Sequence, residues 1–556
     1  MDRDALHQQS RERGVNIALY WAARAVLQPF FLVWFRLSRT GLDHIPKSGP
    51  VVLAANHRSF LDPFVIGTCL RRPIYYVAKK ELFDKRLSGW FLSRLGAFPV
   101  NRDKGDAEMM ETAKAILARG DCVLIFPEGT RVRPGPLAAP RRGVARLALE
   151  AGAPIVPVTV HGTEDVRRGF RIRPRKIRIR VGRTLDLPRG EASPSPQLAK
   201  AVTDRVWSVI ELQWELLGGP PPLRRVAIVG AGSAGTALAV LLARSGVEVL
   251  LACRSADQVA TLERERQNAR YLPDVELPPS VKPVRAAEMD GSGCAAVFFA
   301  VPSRSLPAAL AAHAPRLPAG TAVVLLSKGL VPPLGELPAD YAARRAEGRS
   351  IAVIGGPAHA ADALEASAAF VVASEDRVLR RQISDPLVAA GSAVEETDDV
   401  VGVELAGCAK NVAALAAAAA FGGGPNAAGA AAGRVWSEVA AWALERGARA
   451  ETFAGLAGAG DLIATVMAGE SRNRRAGEKL AAGVPLGEIE AEVGQAVESL
   501  DTVPLLAARM VADSARAPET KMLAALVAGR LEPARWRERV TSPSGRSRVR
   551  VGSVRR

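Results

Sequence analysis

Two sets of residues in this 556-residue chain have the types and spacing to move protons, and they lie far apart in sequence. The first is N-H-R-S-F-L-D-P (Asn56 to Pro63). Its H-x-x-x-x-D pattern offers His57 as a base for a substrate hydroxyl and Asp62 as the carboxylate that fixes the ring tautomer and stabilises the imidazolium. Downstream, G-A-F-P-V-N-R (Gly96 to Arg102) delivers Arg102 at the end of an apolar strand. In V-L-I-F-P-E-G-T-R (Val123 to Arg131) a buried strand ends in Pro-Glu-Gly-Thr-Arg, which exposes Glu128 and Arg131 on a tight turn. Arginine grips phosphate in bidentate fashion, so Arg102 and Arg131 suit a phosphate ester. The second set centres on G-V-E-L-A-G-C-A-K-N-V (Gly402 to Val412), where Lys410 stands among glycine, alanine and valine. A lysine desolvated there has a lowered pKa and can protonate a carbonyl oxygen as hydride arrives.

Between the two sets, V-A-I-V-G-A-G-S-A-G (Val226 to Gly235) follows a strand and opens a helix. Gly230, Gly232, Ser233 and Gly235 then form a tight turn that brings backbone close to a dinucleotide diphosphate at a helix N-terminus. The next strand ends in L-L-A-C-R-S (Leu250 to Ser255). It offers Arg254, about 20 residues past the glycines, where an acid would favour NAD and a base favours the 2'-phosphate of NADP. NADP is therefore favoured over NAD.

These groups must be positioned by several elements. A chain of this length exceeds one hydrophobic core, and roughly 150 residues per domain suggests three or four units. Apolar runs at Val226 to Val229, Val249 to Leu251, Ala296 to Ala300, Ala322 to Leu326 and Ile351 to Ile354 alternate with helical stretches, the pattern of a parallel sheet with crossover helices. After Val400 strands give way to alanine-rich helix, and L-G-G-P-P-P-L (Leu217 to Leu223) is a stiff linker. The expected organisation is multidomain α/β. It comprises a membrane-associating segment (1–44), an α/β domain (45–216), the linker (217–223), a Rossmann-type parallel-sheet domain (224–395), an all-α domain (396–530) and a basic, disordered tail (531–556).

Five scattered cysteines without a C-x-x-C pair exclude a disulfide framework or zinc site and fit a reducing cytoplasm. The net charge of +17 concentrates in Arg167 to Arg183 and in the tail. Alternation of Ile177, Ile179 and Val181 with Lys176, Arg178 and Arg180 predicts an edge strand whose basic face attracts anionic headgroups. No nucleic-acid-binding signature accompanies the charge, which excludes a specific nucleic-acid partner. Val15 to Phe35 is apolar, but Arg24, Gln28 and Pro29 interrupt it, so two short interfacial helices anchored by Tyr20, Trp21 and Trp34 are expected rather than a span. The expected location is the cytoplasm, attached peripherally to the inner face of the cell membrane.

Taken in order, the blocks around His57, Arg102, Glu128 and Ile155 to Gly162 closely resemble the glycerophospholipid acyltransferases over about Pro46 to Gly182. The resemblance implies His57 as general base, Asp62 as its partner, and Arg102, Glu128, Gly129 and Arg131 in binding a glycerophosphate acceptor. It also implies a donor that is an acyl thioester of coenzyme A or acyl carrier protein. Val132 stands where that family often has serine. From about Arg224 to Gly529 the chain resembles the NAD(P)-dependent glycerol-3-phosphate dehydrogenases. That match carries F-F-A-V-P-S (Phe298 to Ser303), L-S-K-G-L (Leu326 to Leu330), I-G-G-P-A-H-A (Ile354 to Ala360), G-L-A-G-A-G-D-L (Gly455 to Leu462), S-R-N-R-R (Ser471 to Arg475) and G-Q-A-V-E-S-L with Glu498. It implies Lys410 as the proton-transferring residue, oriented by Asp461. Lys328, Gly356, Ser471, Arg472 and Asn473 would surround dihydroxyacetone phosphate, with Arg472 and Asn473 on its phosphate. Lys328, Ala360, Arg472 and Glu498 would join the glycines and Arg254 at the cofactor. Ala358 departs from the family's serine or threonine, and Ala428 from a common basic residue.

The two resemblances together imply a bifunctional enzyme of phospholipid biosynthesis. The motifs favour 1-acylglycerol-3-phosphate as acceptor, while the fusion favours glycerol-3-phosphate. Two alternatives stay open: an acyltransferase whose second half senses glycerol-3-phosphate or nucleotide, and a dehydrogenase docked on membrane by an inactive first half. A homodimer is also left open.

Overall fold

The computed structural model describes residues 3–84, 86–100, 107–132, 135–168, 171–187, 194–365, 368–469 and 471–542. The chain divides into two compact units, Met1–Pro222 and Leu223–Arg556, with the boundary inside the proline run.

The first unit is built on seven strands: β1 (Ser38–Thr40), β2 (Val51–Ala55), β3 (Ile74–Lys79), β4 (Ala97–Val100), β5 (Cys122–Ile125), β6 (Ile155–His161) and β7 (Arg178–Val181), in the order β1-β7-β6-β2-β5-β3-β4. All pairings are parallel except β6 with β7. Central β2 reads V-V-L-A-A and is buried throughout, as expected of a parallel strand covered on both faces. Because β5, β2 and β6 are neighbours and parallel, the loops leaving their C-terminal ends converge. Strand β7 buries Ile179 and Val181 as its alternation predicts, but it is not an edge strand. The short polar β1 pairs outside it, a partner that S-R-T does not announce.

Two further expectations are corrected here. The apolar segment forms one helix, α2 (Ile17–Trp34), following α1 (Arg3–Glu12), and it runs through Pro29. Tertiary packing of Tyr20 and Phe31 holds the helix across the proline, outweighing one missing backbone donor. The Arg24 guanidinium donates to the Thr68 carbonyl oxygen at 3.2 Å, within α3 (Asp62–Cys69), and lies 4.8 Å over the Trp21 ring, so the central charge faces the domain. By length and composition α2 is apolar enough to cross a membrane, yet it is attached along α3 by these contacts. The long helix α4 (Pro196–Leu216), capped by Ser195, closes the unit and buries Trp207, Ile210 and Trp214.

The second unit carries an eight-stranded sheet: β8 (Arg225–Val229), β9 (Glu248–Cys253), β10 (Val281–Arg285), β11 (Ala296–Phe299), β12 (Ala322–Leu325), β13 (Ile351–Gly355), β14 (Ala369–Ala373) and β15 (Ala393–Thr397), ordered β10-β9-β8-β11-β12-β13-β14-β15. The five expected strands are present. The sheet is parallel except where β13 meets β14. Helix α5 (Ser233–Arg244) follows the glycine turn. The helical region is organised around α6 (Val400–Ala420), in which every residue from Gly402 to Ala420 is buried. A helix enclosed on all sides needs small residues for close approach, hence its alanine and glycine. The tail is also corrected: Trp536 and Val540 are fully buried in a helix, Pro533–Thr541, so tertiary burial orders its start. Residues 543–556 lie outside the described residues.

Candidate active sites

In the first unit the loop after β2 carries Asn56 and His57. Asn56 is locked to β6 through both its amide and the Val160 backbone (2.9 and 2.8 Å). His57 Nδ1 lies 2.9 Å from Asp62 Oδ2. Asp62 is fully buried at the start of α3 and also accepts the Arg58 and Ser59 amides (2.6 and 2.7 Å) and the Thr163 hydroxyl (2.6 Å). Held by these donors, the carboxylate fixes the ring through Nδ1, which leaves Nε2 for substrate. The imidazole stacks on Phe126, centroids 4.0 Å apart and planes 18° from parallel.

Glu128, expected exposed on the turn, is instead 4% exposed, and its two oxygens accept the backbone amides of His57 (2.5 Å) and Ala138 (3.2 Å). It therefore positions the loop that bears His57. Burial pushes its pKa up to about 7, against the two amides and the Arg58 charge. Glutamine has only one acceptor oxygen, so Glu128→Gln leaves one buried N–H unpaired. It is expected to lose about 1–3 kcal/mol of stability, read by denaturant unfolding. Gly129 takes φ +71° in this turn, and Arg131 stands exposed beyond it. Arg102 lies outside the described residues. Thr163 and Phe126 escaped the sequence reading; Thr163, two residues past the β6 strand, carries no local signature.

In the second unit the glycine turn leaves β8. A Cβ on Gly235 would sit 2.0 Å from the Gly230 carbonyl oxygen, so helix and strand pack at glycine distance, and Gly230 itself has φ +113°. A Cβ at Gly232 would meet nothing within 4 Å, and the N-terminus of α5 has no side-chain cap. Free amides above open space fit a diphosphate. Gly235→Val is expected to destabilise the unit by about 1–3 kcal/mol or more through overpacking and to abolish NADPH binding, measured by melting and by nucleotide fluorescence. Arg254 is exposed at the end of β9 with no acid in its place, which suits a 2'-phosphate.

At the ends of β12 and β13 the structure assembles residues from four segments. The Lys410 ammonium donates to Asp461 Oδ1 (3.1 Å) and the Thr465 hydroxyl (2.9 Å). The Lys328 ammonium donates to Asp461 Oδ2 (2.6 Å) and the Gly356 carbonyl oxygen (3.1 Å). Asp461 opens α7 (Asp461–Met467), and Thr465 lies one turn on, so both share a face. Burial, then the Lys328 charge, bring the Lys410 pKa down to about 8, against the pull of Asp461. Burial alone would raise the Asp461 pKa, but Lys328 and Lys410 outweigh it and hold the carboxyl below its usual range.

Asn411, unforeseen although adjacent to Lys410, donates to the Lys328 carbonyl oxygen (3.0 Å) and accepts from Asn473 (2.8 Å), which in turn accepts the Ser499 hydroxyl (2.8 Å). Ser471 is buried and caps α8 (Arg472–Ala481). Arg472 is exposed, donating to the Ala496 carbonyl oxygen at 3.1 Å. Glu498, expected as a cofactor contact, accepts the amides of Ser303 (2.9 Å) and Lys328 (3.0 Å) with its two oxygens, which ties together the loops after β11 and β12. Ala360 sits part-buried in the turn after β13. Among the described residues no cluster could hold a metal ion.

Comparison with known proteins agrees with this division. The family model described as Acyltransferase matches residues 36–161, and those described as NAD-dependent glycerol-3-phosphate dehydrogenase N-terminus and C-terminus match 225–379 and 399–538. A glycerol-3-phosphate dehydrogenase [NAD(P)+] of Caulobacter vibrioides is 36% identical over 308 residues, 55% of this chain and 93% of the relative. One from Methylococcus capsulatus is 39% identical over 293 residues, 51% and 85% of the two chains. The crystal structure of glycerol-3-phosphate dehydrogenase from Coxiella burnetii is 31% identical with a TM-score of 0.55, covering 58% of this chain and 99% of that one. With its glycine turn, its Lys410–Asp461–Lys328 cluster and these matches, the chain belongs to the NAD(P)-dependent glycerol-3-phosphate dehydrogenase family, preceded in the same polypeptide by a domain of the Acyltransferase family.

Proposed function

We propose that the second unit interconverts dihydroxyacetone phosphate and glycerol-3-phosphate with NAD(P)H, and that the first esterifies a glycerophosphate with an acyl thioester. The observation that carries this reading is that both proton-handling groups are assembled in one chain. His57 is fixed by Asp62 at the C-terminal edge of one parallel sheet, and Lys410 by Asp461 at that of the other. The nicotinamide supplies hydride when bound. The chain's own part is to hold the diphosphate on the glycine turn and to give or take the alcohol proton at Lys410 Nζ. NADP is favoured over NAD because Arg254 occupies the ribose end.

A small apolar cleft of about 30 Å³ between α2 and α3 is lined by Leu27, Phe64, Ile74, Tyr76 and Leu95 among others. Pro63 and Phe64, next to Asp62, are in its wall. The reading of peripheral membrane attachment rests on exposed Val26, Phe30, Val33 and Trp34 on α2, and on exposed Leu87, Trp90 and Phe91 in the helix Arg86–Arg94.

Purified intact chain should oxidise NADPH on addition of dihydroxyacetone phosphate and should transfer labelled acyl groups from acyl-coenzyme A to glycerol-3-phosphate, to 1-acylglycerol-3-phosphate, or to both. Failure with both acceptors, with acyl carrier protein as donor too, removes the acyl reading. Silence with both nucleotides removes the dehydrogenase reading. Flotation with anionic vesicles should lift the chain, and Val33→Asp with Trp34→Asp should leave it behind.

A further inference from the structure

The charge of the arginine-rich stretch does not lie mainly on β7. Within that strand Arg178 is part-buried and donates to the Leu217 carbonyl oxygen at 3.4 Å. The exposed bases come earlier, on a hairpin that pairs Arg167–Arg168 with Arg171–Ile172 and returns to β7 through Arg175 and Lys176. From Arg167 to Arg180 the chain has no acid. Among the described residues no carboxylate pairs with Arg171, Arg175 or Lys176. Bases that the fold leaves in water add little to its stability, and their summed field is open to an anionic partner.

The hairpin grows from the C-terminal end of β6, which runs parallel to β2, so it stands on the sheet edge that carries His57. At its root the Thr163 hydroxyl donates to Asp62 Oδ1 at 2.6 Å. The Arg173 amide donates to the Val166 carbonyl oxygen (2.7 Å) and closes the base, and the Ile177 amide donates to the Phe35 carbonyl oxygen (3.0 Å). That second bond sets the returning chain against the end of α2, where Val33 and Trp34 are exposed. Ile172 on the hairpin and Phe60 in the His57 loop are exposed as well. Cations and large apolar side chains therefore share one edge. A bilayer with anionic headgroups meets both, taking the apolar side chains below the headgroups and the cations among them. An acidic carrier protein would meet the charge, but it gives no reason for apolar side chains contributed by three separate segments of this edge.

We propose that the hairpin is a headgroup-binding element. Arg171, Arg175 and Lys176 engage the phosphates of anionic lipid beside the exposed end of α2, and this turns the His57 edge of the sheet toward the bilayer. The assignment rests on the membrane attachment proposed above and adds the element that selects anionic over neutral lipid.

The test floats the intact chain with vesicles of phosphatidylcholine alone and with vesicles of equal parts phosphatidylcholine and phosphatidylglycerol. The triple variant Arg171→Gln, Arg175→Gln, Lys176→Gln should bind the anionic vesicles about 30- to 100-fold more weakly, since each base near a charged surface contributes about fivefold, and should bind the neutral ones as the wild type does. Arg171→Lys with Arg175→Lys should keep most of the binding, and added salt should erase the difference between wild type and the glutamine variant. Should the triple variant fail to fold, Arg171→Glu reads the same ratio between the two vesicle types. A wild-type chain that floats with neither vesicle overturns this proposal together with the attachment it rests on. A wild type that floats while the glutamine variant binds equally well, or loses both vesicle types alike, overturns the hairpin assignment alone. Vesicle binding retained with binding to acyl carrier protein lost would give the hairpin to the acyl donor and overturn it as well.

Discussion

Lys410→Met in the intact chain is expected to lower the rate of dihydroxyacetone phosphate reduction by about 10²- to 10⁴-fold while acyl transfer continues unchanged. The ammonium sits mid-helix in α6, buried, with Asp461 and Thr465 as fixed acceptors, so its proton is aimed rather than diffusing. Burial and Lys328 bring its pKa to about 8, near working pH, where a group both gives and recovers a proton readily. The sign follows from the direction. Reduction needs the protonated lysine and should fall as pH rises through about 8, and oxidation of glycerol-3-phosphate needs the free amine and should rise over the same interval. The methionine variant should lose this titration, as seen in rate profiles from pH 6 to 10. Below about pH 8 the fold holds a buried charge that methionine does not impose, and Asp461 keeps Lys328. The variant should therefore melt near the wild-type temperature, which separates lost chemistry from lost structure. An unaltered pH profile would assign the proton to another group.

His57→Ala should abolish acyl transfer by a comparable factor, about 10²- to 10⁴-fold, and leave NADPH oxidation untouched. The ring is held from three sides: Asp62 at Nδ1, Phe126 against its face, and Glu128 on its backbone amide. Asp62→Asn should be nearly as damaging, because every hydrogen bond that reaches Asp62 comes from a donor: His57, Arg58, Ser59 and Thr163. An asparagine must turn its own N–H₂ toward one of them, and either the ring loses its tautomer or the loop shifts. Labelled acyl transfer and NADPH absorbance, followed in one cuvette, check both outcomes. Loss of the two activities together would point to unfolding instead.

Local chemistry made much of the molecule legible. The H-x-x-x-x-D pair closes within one turn of chain, so spacing alone brings His57 to Asp62. The glycine turn is equally local: strand, tight turn and helix follow one another without a break, and the packing of Gly235 on Gly230 is set within that segment. The five expected strands of the second sheet came from short apolar runs, because a strand buried on both faces leaves that mark.

What depended on distant chain was read only as far as resemblance carried it, or misread. Pro29 and the arginine-rich start of the tail were taken as breaks in structure, yet packing around Phe31 and Trp536 overrides those local signals. Glu128 was read as exposed, yet it is buried, and it and Glu498 accept backbone amides brought in by other loops, which no local pattern announces. The sequence by itself determined the parallel sheet of the second unit, the pairing of His57 with Asp62 and the nucleotide turn, since these depend on neighbouring residues and on periodicity. Only the tertiary structure decided that Lys410 and Lys328 share the two oxygens of Asp461, 51 and 133 residues away in the chain, because a carboxylate's partners are chosen by which buried donors the fold brings within reach.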